Sequence, residues 1–223
     1  NTSGGVPHAV AHVNEDIYVG GSFTQWNGTV AFRIATYTDG AAAWNEPESG
    51  FNDDVFAIQQ SVIDTNIVYV GGAFTQDGAT IKTIRRISEY NIDTDTFTEL
   101  GGGLDDNCSS IVAHPTGVFV AGRFINVPSF ITLNRIGLYD YSLAQFTDLD
   151  TGVNDVVNKI ILGPDGNLYA AGFFTQAGSG PITANRVAKW NIATSTWESL
   201  GQGFGDNSVS DIAFDNFGVL YAI

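Results

Sequence analysis

The segment Gly20-Gly21-Ser22-Phe23-Thr24 returns as Gly71-Gly72-Ala73-Phe74-Thr75, then as Ala121-Gly122-Arg123-Phe124-Ile125 and Ala171-Gly172-Phe173-Phe174-Thr175. The four phenylalanines stand 51, 50 and 50 residues apart. A fixed period of that length means one supersecondary unit copied in tandem. Each copy is too small to bury its apolar face alone, so neighbours must stack to build a core.

The second unit shows what is being copied. Val55 to Gln60 and Ile67 to Thr75 are short apolar stretches, the second ending in the recurring phrase. After a polar loop, Arg86 to Tyr90 and Thr96 to Leu100 form two more. Turn-rich sequence separates them, as in Pro164-Asp165-Gly166-Asn167 and Asn91-Ile92-Asp93-Thr94-Asp95. No stretch carries the 3.6-residue period of an amphipathic helix. The chain reads as all-β, with four antiparallel strands per unit of about 50 residues, which is the plan of a β-propeller blade. The expected blades are 5–54, 55–107, 108–156 and 157–207, followed by a partial blade over 208–223. Four and a half blades duplicate the first two strand positions without completing a ring. The expectation is therefore that these residues form one segment of a larger propeller of six to eight blades.

Stacked blades need a flat backbone spot beside a large side chain that fills the space between sheets, which is what Gly-Gly-x-Phe supplies. Phe23, Phe74, Phe124 and Phe174 are expected in the inter-blade core, with the fourth-strand aromatics Trp44, Phe97, Phe146 and Trp197. The Gly-Gly-x-Phe-Thr phrase, an Arg-Ile-x-x-Tyr strand, an aromatic strand and a Gly-rich acidic closing loop together resemble the kelch-like propeller repeats of secreted, cell-surface and phage structural proteins. The resemblance covers nearly the whole chain and implies architecture rather than an activity. The third unit departs from the phrase at Ala121 and Ile125.

Nine Lys and Arg stand against 24 Asp and Glu, a formal net charge of -15. Such a surface repels phosphate backbones and anionic lipid head groups, so nucleic acid is not expected as a partner, and with no run of eighteen or more apolar residues neither is direct membrane insertion. The acidity serves solubility or draws divalent cations or a basic partner. Cys108 has no second cysteine to pair with and reads as a small buried hydrophobe. Asn1, Asn27 and Asn107 open Asn-x-Ser/Thr triplets, which are glycan acceptors only on a secretory route.

In an up-and-down blade the loop from second to third strand and the loop to the next blade share one end. The loops Gln25 to Ala31, Gln76 to Lys82, Asn126 to Leu133 and Gln176 to Ala184 vary most, and loops on a rigid scaffold are where such folds bind. Trp26, Phe130 and Pro181 are their apolar members, either as recognition residues or as caps on the blade edges. Asp53, Asp54, Asp105, Asp106, Asp155 and Asp206 recur just before first strands. They are read as turn formers bonding nearby N–H groups, or alternatively as oxygen ligands for calcium; no other cofactor is implied. Arg33, Arg86, Arg135 and Arg186 hold one repeat position before the third strand. They read as structural forks that pair with loop carboxylates or carbonyls and lock blade to blade.

His8, His12 and His114 recur at no common place with a base or nucleophile, and no hydrolase elbow, zinc-protease motif, P-loop or dinucleotide fingerprint is present. The expectation is a non-enzymatic structural or recognition module, extracellular, at the cell surface or in a virion. It would present variable loops to a protein partner or a glycan as a subunit of a larger assembly. The alternative is a carbohydrate-binding or glycosidase-like propeller that uses Asp53 or Asp106 near the channel mouth, or Trp26 as a platform.

Overall fold

The computed structural model describes residues 5–78, 82–128, 131–205 and 207–223, arranged in two compact units, Asn1–Pro115 and Thr116–Ile223. In unit 1, β1 (Pro7–Val13), β2 (Asp16–Gly21), β5 (Ile34–Thr38) and β6 (Ala43–Asn45) form one four-stranded antiparallel blade, with the small ribbon β3 (Gln25–Trp26) and β4 (Thr29–Val30) between its second and third strands. The next blade runs through β7 (Val55–Gln60), β8 (Ile67–Gly72), β9 (Ile87–Asn91) and β10 (Thr96–Glu99). The last strand of the unit is β11 (Cys108–His114).

Unit 2 contains β12 (Gly117–Gly122), the ribbon β13 (Asn126–Val127) and β14 (Ile131–Thr132), β15 (Ile136–Asp140) and β16 (Gln145–Asp148), with β12, β15 and β16 pairing in that order. A complete blade follows in β17 (Val157–Leu162), β18 (Leu168–Gly172), β21 (Val187–Asn191) and β22 (Thr196–Ser199), with the ribbon β19 (Gln176–Ala177) and β20 (Ile182–Thr183). The hairpin of β23 (Ile212–Phe214) and β24 (Leu220–Ala222) closes the series. The fold is an all-β propeller architecture of four-stranded antiparallel blades; the helical content of the described residues is two single 3-10 turns, Asp39–Ala41 and Pro47–Ser49.

The recurring phenylalanines Phe23, Phe74, Phe124 and Phe174 are all fully buried. Between the first two blades Val13, Tyr18 and Ile34 interlock with Val55, Ile58, Val68, Val70, Phe74 and Phe97. Phe51 stacks on Phe74 with ring centroids 4.0 Å apart and leans on Phe97 at 4.3 Å, an offset aromatic arrangement that adds to area burial. Phe97, Phe146 and Trp197 are buried as expected from the pattern. Trp44 is half-buried between Tyr37 and Trp26. Cys108 is buried against Gly71.

The two glycines of the phrase do different jobs. The first strand of a blade bulges, at His8, Phe56 and Asn158, and the carbonyl just before the bulge turns onto the second strand. Ser22, Ala73 and Phe173 donate N–H to Val6, Asp54 and Val156 O at 2.9, 2.8 and 2.8 Å. A Cβ on Gly21, Gly72 or Gly172 would stand 2.2, 2.1 or 2.1 Å from those same oxygens. The second glycine is therefore required by backbone approach. The first faces side chains, Val55 for Gly20 and Cys108 for Gly71, and alanine takes its place at Ala121 and Ala171.

Candidate functional site

The second and fourth phrases lead into loops whose residues are held from just past the corner of the preceding blade. The corners turn left-handed: Glu48 and Ser49 at φ 40° and 72°, Gly101 and Gly102 at 58° and 89°, Asp150 and Thr151 at 48° and 63°. The i to i+3 bonds Gly50 N–H to Pro47 O (2.8 Å), Gly103 N–H to Leu100 O (3.0 Å) and Gly152 N–H to Leu149 O (3.0 Å) close them. Two positive φ angles in succession suit glycine and asparagine, so Glu48, Ser49, Asp150 and Thr151 hold a geometry that their side chains disfavour.

Asn52 and Asn154, just past two of these corners, clamp the loops. Asn52 Oδ1 accepts the N–H groups of Thr75 and Gln76 at 2.9 and 3.1 Å, and its Nδ2 donates to Thr75 Oγ1 at 2.9 Å. Asn154 repeats the set on Thr175 and Gln176 at 2.8, 3.0 and 3.0 Å. The described parts of these loops pair as short ribbons, β3–β4, β13–β14 and β19–β20, and among the described residues of the second blade Gln76 bridges Thr83. Variation in sequence is carried on a repeated backbone.

Asp53, Asp106 and Asp155 each accept the N–H of the next residue through Oδ1, at 2.8, 2.7 and 2.7 Å. Asp54 instead stands between Arg33 Nη1 at 3.7 Å and His8 Nε2 at 4.0 Å. Asp105 is exposed, and Asp206 lies outside the described residues. Among the described residues no three His, Cys, Asp or Glu side chains come together as a metal-ligating group.

The four repeat arginines share one geometry. Arg33, Arg86, Arg135 and Arg186 lie at φ 70°, 67°, 75° and 70°, and their N–H groups bond Phe23, Phe74, Phe124 and Phe174 O at 2.8 to 2.9 Å. Positive φ folds each guanidinium back over its own phrase, where Nη1 bonds Ser22, Ala73, Arg123 or Phe173 O. These carbonyl bonds lie within one blade. Arg33 also reaches Asp54 at the start of the next blade, at 3.7 Å.

Trp26 lies against Phe23 and Trp44, at 4.8 and 5.7 Å between centroids, and covers its own blade. Pro181 is exposed on the rim of a groove in unit 2, and Phe130 lies outside the described residues. That groove, of about 390 Å³, has Ile125, Val153, Ala177 and Pro181 as its apolar part and Arg135 and Asn154 as polar members. At the corresponding positions of unit 1, Phe51 and Asp77 replace Val153 and Ala177. Asn27 is exposed at the tip of the β3–β4 ribbon at φ 47°, a left-handed Asn-Gly turn; Asn107 is half-buried with its N–H on Asp106, and Asn1 lies outside the described residues. The sequence reading missed the bulge residues and the groove. A signal for the groove was available: Val153 and Ala177 are smaller than their counterparts.

The electrostatics of the corners oppose one another. Burial raises the Glu48 pKa despite the hydrogen bond from Phe97 N–H, and burial likewise raises that of Glu46, which accepts Phe32 N–H at 2.5 Å. At the hairpin turns, burial at Asp165 is outweighed by hydrogen bonds from Asn167 and Tyr169, and its pKa falls. Burial alone lowers His114. A carboxyl raised on folding favours its protonated form, so its contribution is most favourable below the ordinary glutamate range and is lost as pH rises through the raised value. Glu48→Gln is therefore expected to raise stability at pH 7 by less than about 1 kcal/mol and to leave it unchanged near pH 3, read as the difference between wild-type and variant urea midpoints.

No protein-family model matches the sequence, and no curated protein matches it. Among solved structures, the chain is similar to the extracellular domain of a one-component system from B. thetaiotaomicron, with a TM-score of 0.63 and 12% identity over 97% of this chain and 26% of that one. It is also similar to the WD40 β-propeller domain of Doa1, with a TM-score of 0.60 and 11% identity over 96% of this chain and 58% of that one. The chain thus spans about a quarter of the first protein's length and somewhat over half of the second's. At these identities the likeness is one of fold.

Proposed function

We propose that this chain is a recognition module, a kelch-like propeller segment of an extracellular or virion assembly that takes a protein partner at the loop-bearing end of its blades. The observation that carries this reading is the groove of unit 2, where a rigid, repeated backbone presents an apolar floor, a guanidinium and amide side chains. The similarity to an extracellular domain supports the location. Asp53, Asp106 and Asp155, the carboxylates that a glycosidase reading would draw on, are each engaged by a backbone N–H group.

Panning a displayed peptide library on the 223-residue chain, beside a glycan array and a glycoside-hydrolysis screen, tests the proposal. Enriched peptides are expected to lose binding to Ile125→Trp, which fills the groove from a residue that is 40% exposed. Glycan turnover that disappears in Asp53→Asn or Asp106→Asn would replace this reading with the glycosidase one. Peptides indifferent to Ile125→Trp would remove the groove from it.

A further inference from the structure

Arg135 differs from its counterpart Arg33 in what neutralises it. Both use φ near 70° and one guanidinium nitrogen on a carbonyl of their own phrase. Arg33 also meets Asp54, whose carbonyl accepts the N–H that follows the Gly-Gly pair. The residue making that same backbone bond in the last full blade is Val156. Among the described residues no carboxylate lies within ion-pair distance of Arg135. Its fork is held in place on one side by Arg123 O and is otherwise open on a groove of about 390 Å³.

The acidic side chains closest in sequence are committed elsewhere. Asp155 accepts Val156 N–H, and Asp150 accepts Ser179 N–H at 3.3 Å while turned toward Gly178. Beside Arg135 lie Ile125, Val153 and Pro181, which suit an aliphatic side chain, while Asn154 spends its amide on the loop, Oδ1 on the Thr175 and Gln176 N–H groups and Nδ2 on Thr175 Oγ1. No aromatic ring is among the described residues lining the groove.

We infer that the groove binds an acidic peptide: Arg135 takes a Glu or Asp carboxylate, and an aliphatic neighbour of that residue sits against Ile125 and Pro181. A guanidinium preorganised by one fixed hydrogen bond loses little freedom on pairing with a planar carboxylate, and the pair is charge-assisted. In a chain of net charge -15 an unneutralised cation in a concave site selects for an anion locally against the field of the whole molecule. This inference rests on the recognition reading above and adds the ligand's chemistry to it.

The probe is acetyl-Ala-Leu-Glu-Leu-Ala-amide, followed by titration calorimetry on the 223-residue chain, with the Gln analogue and trigalacturonate as further arms. The Glu peptide is expected to bind about tenfold or more tightly than the Gln peptide, which corresponds to about 1.4 kcal/mol, and to weaken with added salt. Val156→Asp gives Arg135 the internal carboxylate that Arg33 already has, and is expected to abolish the preference for Glu while thermal unfolding stays cooperative. Should that variant unfold, Arg135→Lys supplies the readout, since it keeps the charge and loses the fork; a reduced Glu preference supports the inference. Equal binding of Glu and Gln peptides, both lost in Ile125→Trp, would overturn the carboxylate inference and leave the recognition reading standing. Binding of neither peptide would overturn the inference, as would trigalacturonate binding that depends on Arg135.

Discussion

Phe74→Ala is expected to destabilise the chain by about 3–5 kcal/mol, the range for removing a fully buried phenylalanine ring, read as a lowered urea midpoint at unchanged slope. Phe74 is completely buried, and its ring is stacked at 4.0 Å on Phe51 at a corner that also carries Glu48 and Ser49 in left-handed geometry. The cavity would have little means of collapse. Phe51 is fixed by N–H donation to Phe32 O, and Phe97 by the contact of Glu48 with its N–H. Because Phe74 links the first two blades, the loss should be seen in both together. If Phe74→Ala moved the midpoint no more than a surface substitution does, the proposed inter-blade role would be wrong.

The second large effect separates two adjacent glycines. Gly72→Ala would place a methyl group 2.1 Å from Asp54 O, a backbone atom already accepting Ala73 N–H, so the first strand must leave its bulge or the second must shift. A cost above about 3 kcal/mol is expected, in the class of strained backbone substitutions. Gly71→Ala meets the Cys108 sulfur at 2.8 Å and an Ile111 methyl at 3.0 Å, which are side-chain atoms able to move, and about 1–2 kcal/mol is expected. The two variants are best compared in parallel by chemical denaturation. Equal losses would mean that the bulge carbonyl does not set the requirement.

Much of this was legible in the sequence because tandem repetition turns one chain into several readings of one unit. The period located the strands to within a few residues, and the aromatic positions identified the buried side: Phe23, Phe74, Phe124 and Phe174 are all fully covered. The loops were less legible. Gln25 to Ala31 and Gln176 to Ala184 differ in sequence yet both fold as ribbons, the first on its own Asn27-Gly28 turn and the second with its entry held from outside by Asn154, which local propensity does not reveal. The arginines were recognisable as one position, but not the positive φ that turns each guanidinium over its own blade.

By itself the sequence determined the all-β class, the four-stranded unit and the buried face, because hydrophobic alternation and turn chemistry act over a few residues and repeat with the chain. Only the tertiary structure decided which glycine is obligatory, which arginine has its charge met and where a groove opens. Those outcomes depend on atoms about twenty residues apart along the chain, Gly72 with Asp54 O and Arg33 with Asp54. At such separations a single side chain, Val156 where another unit has Asp54, changes the chemistry without disturbing the pattern that builds the blade.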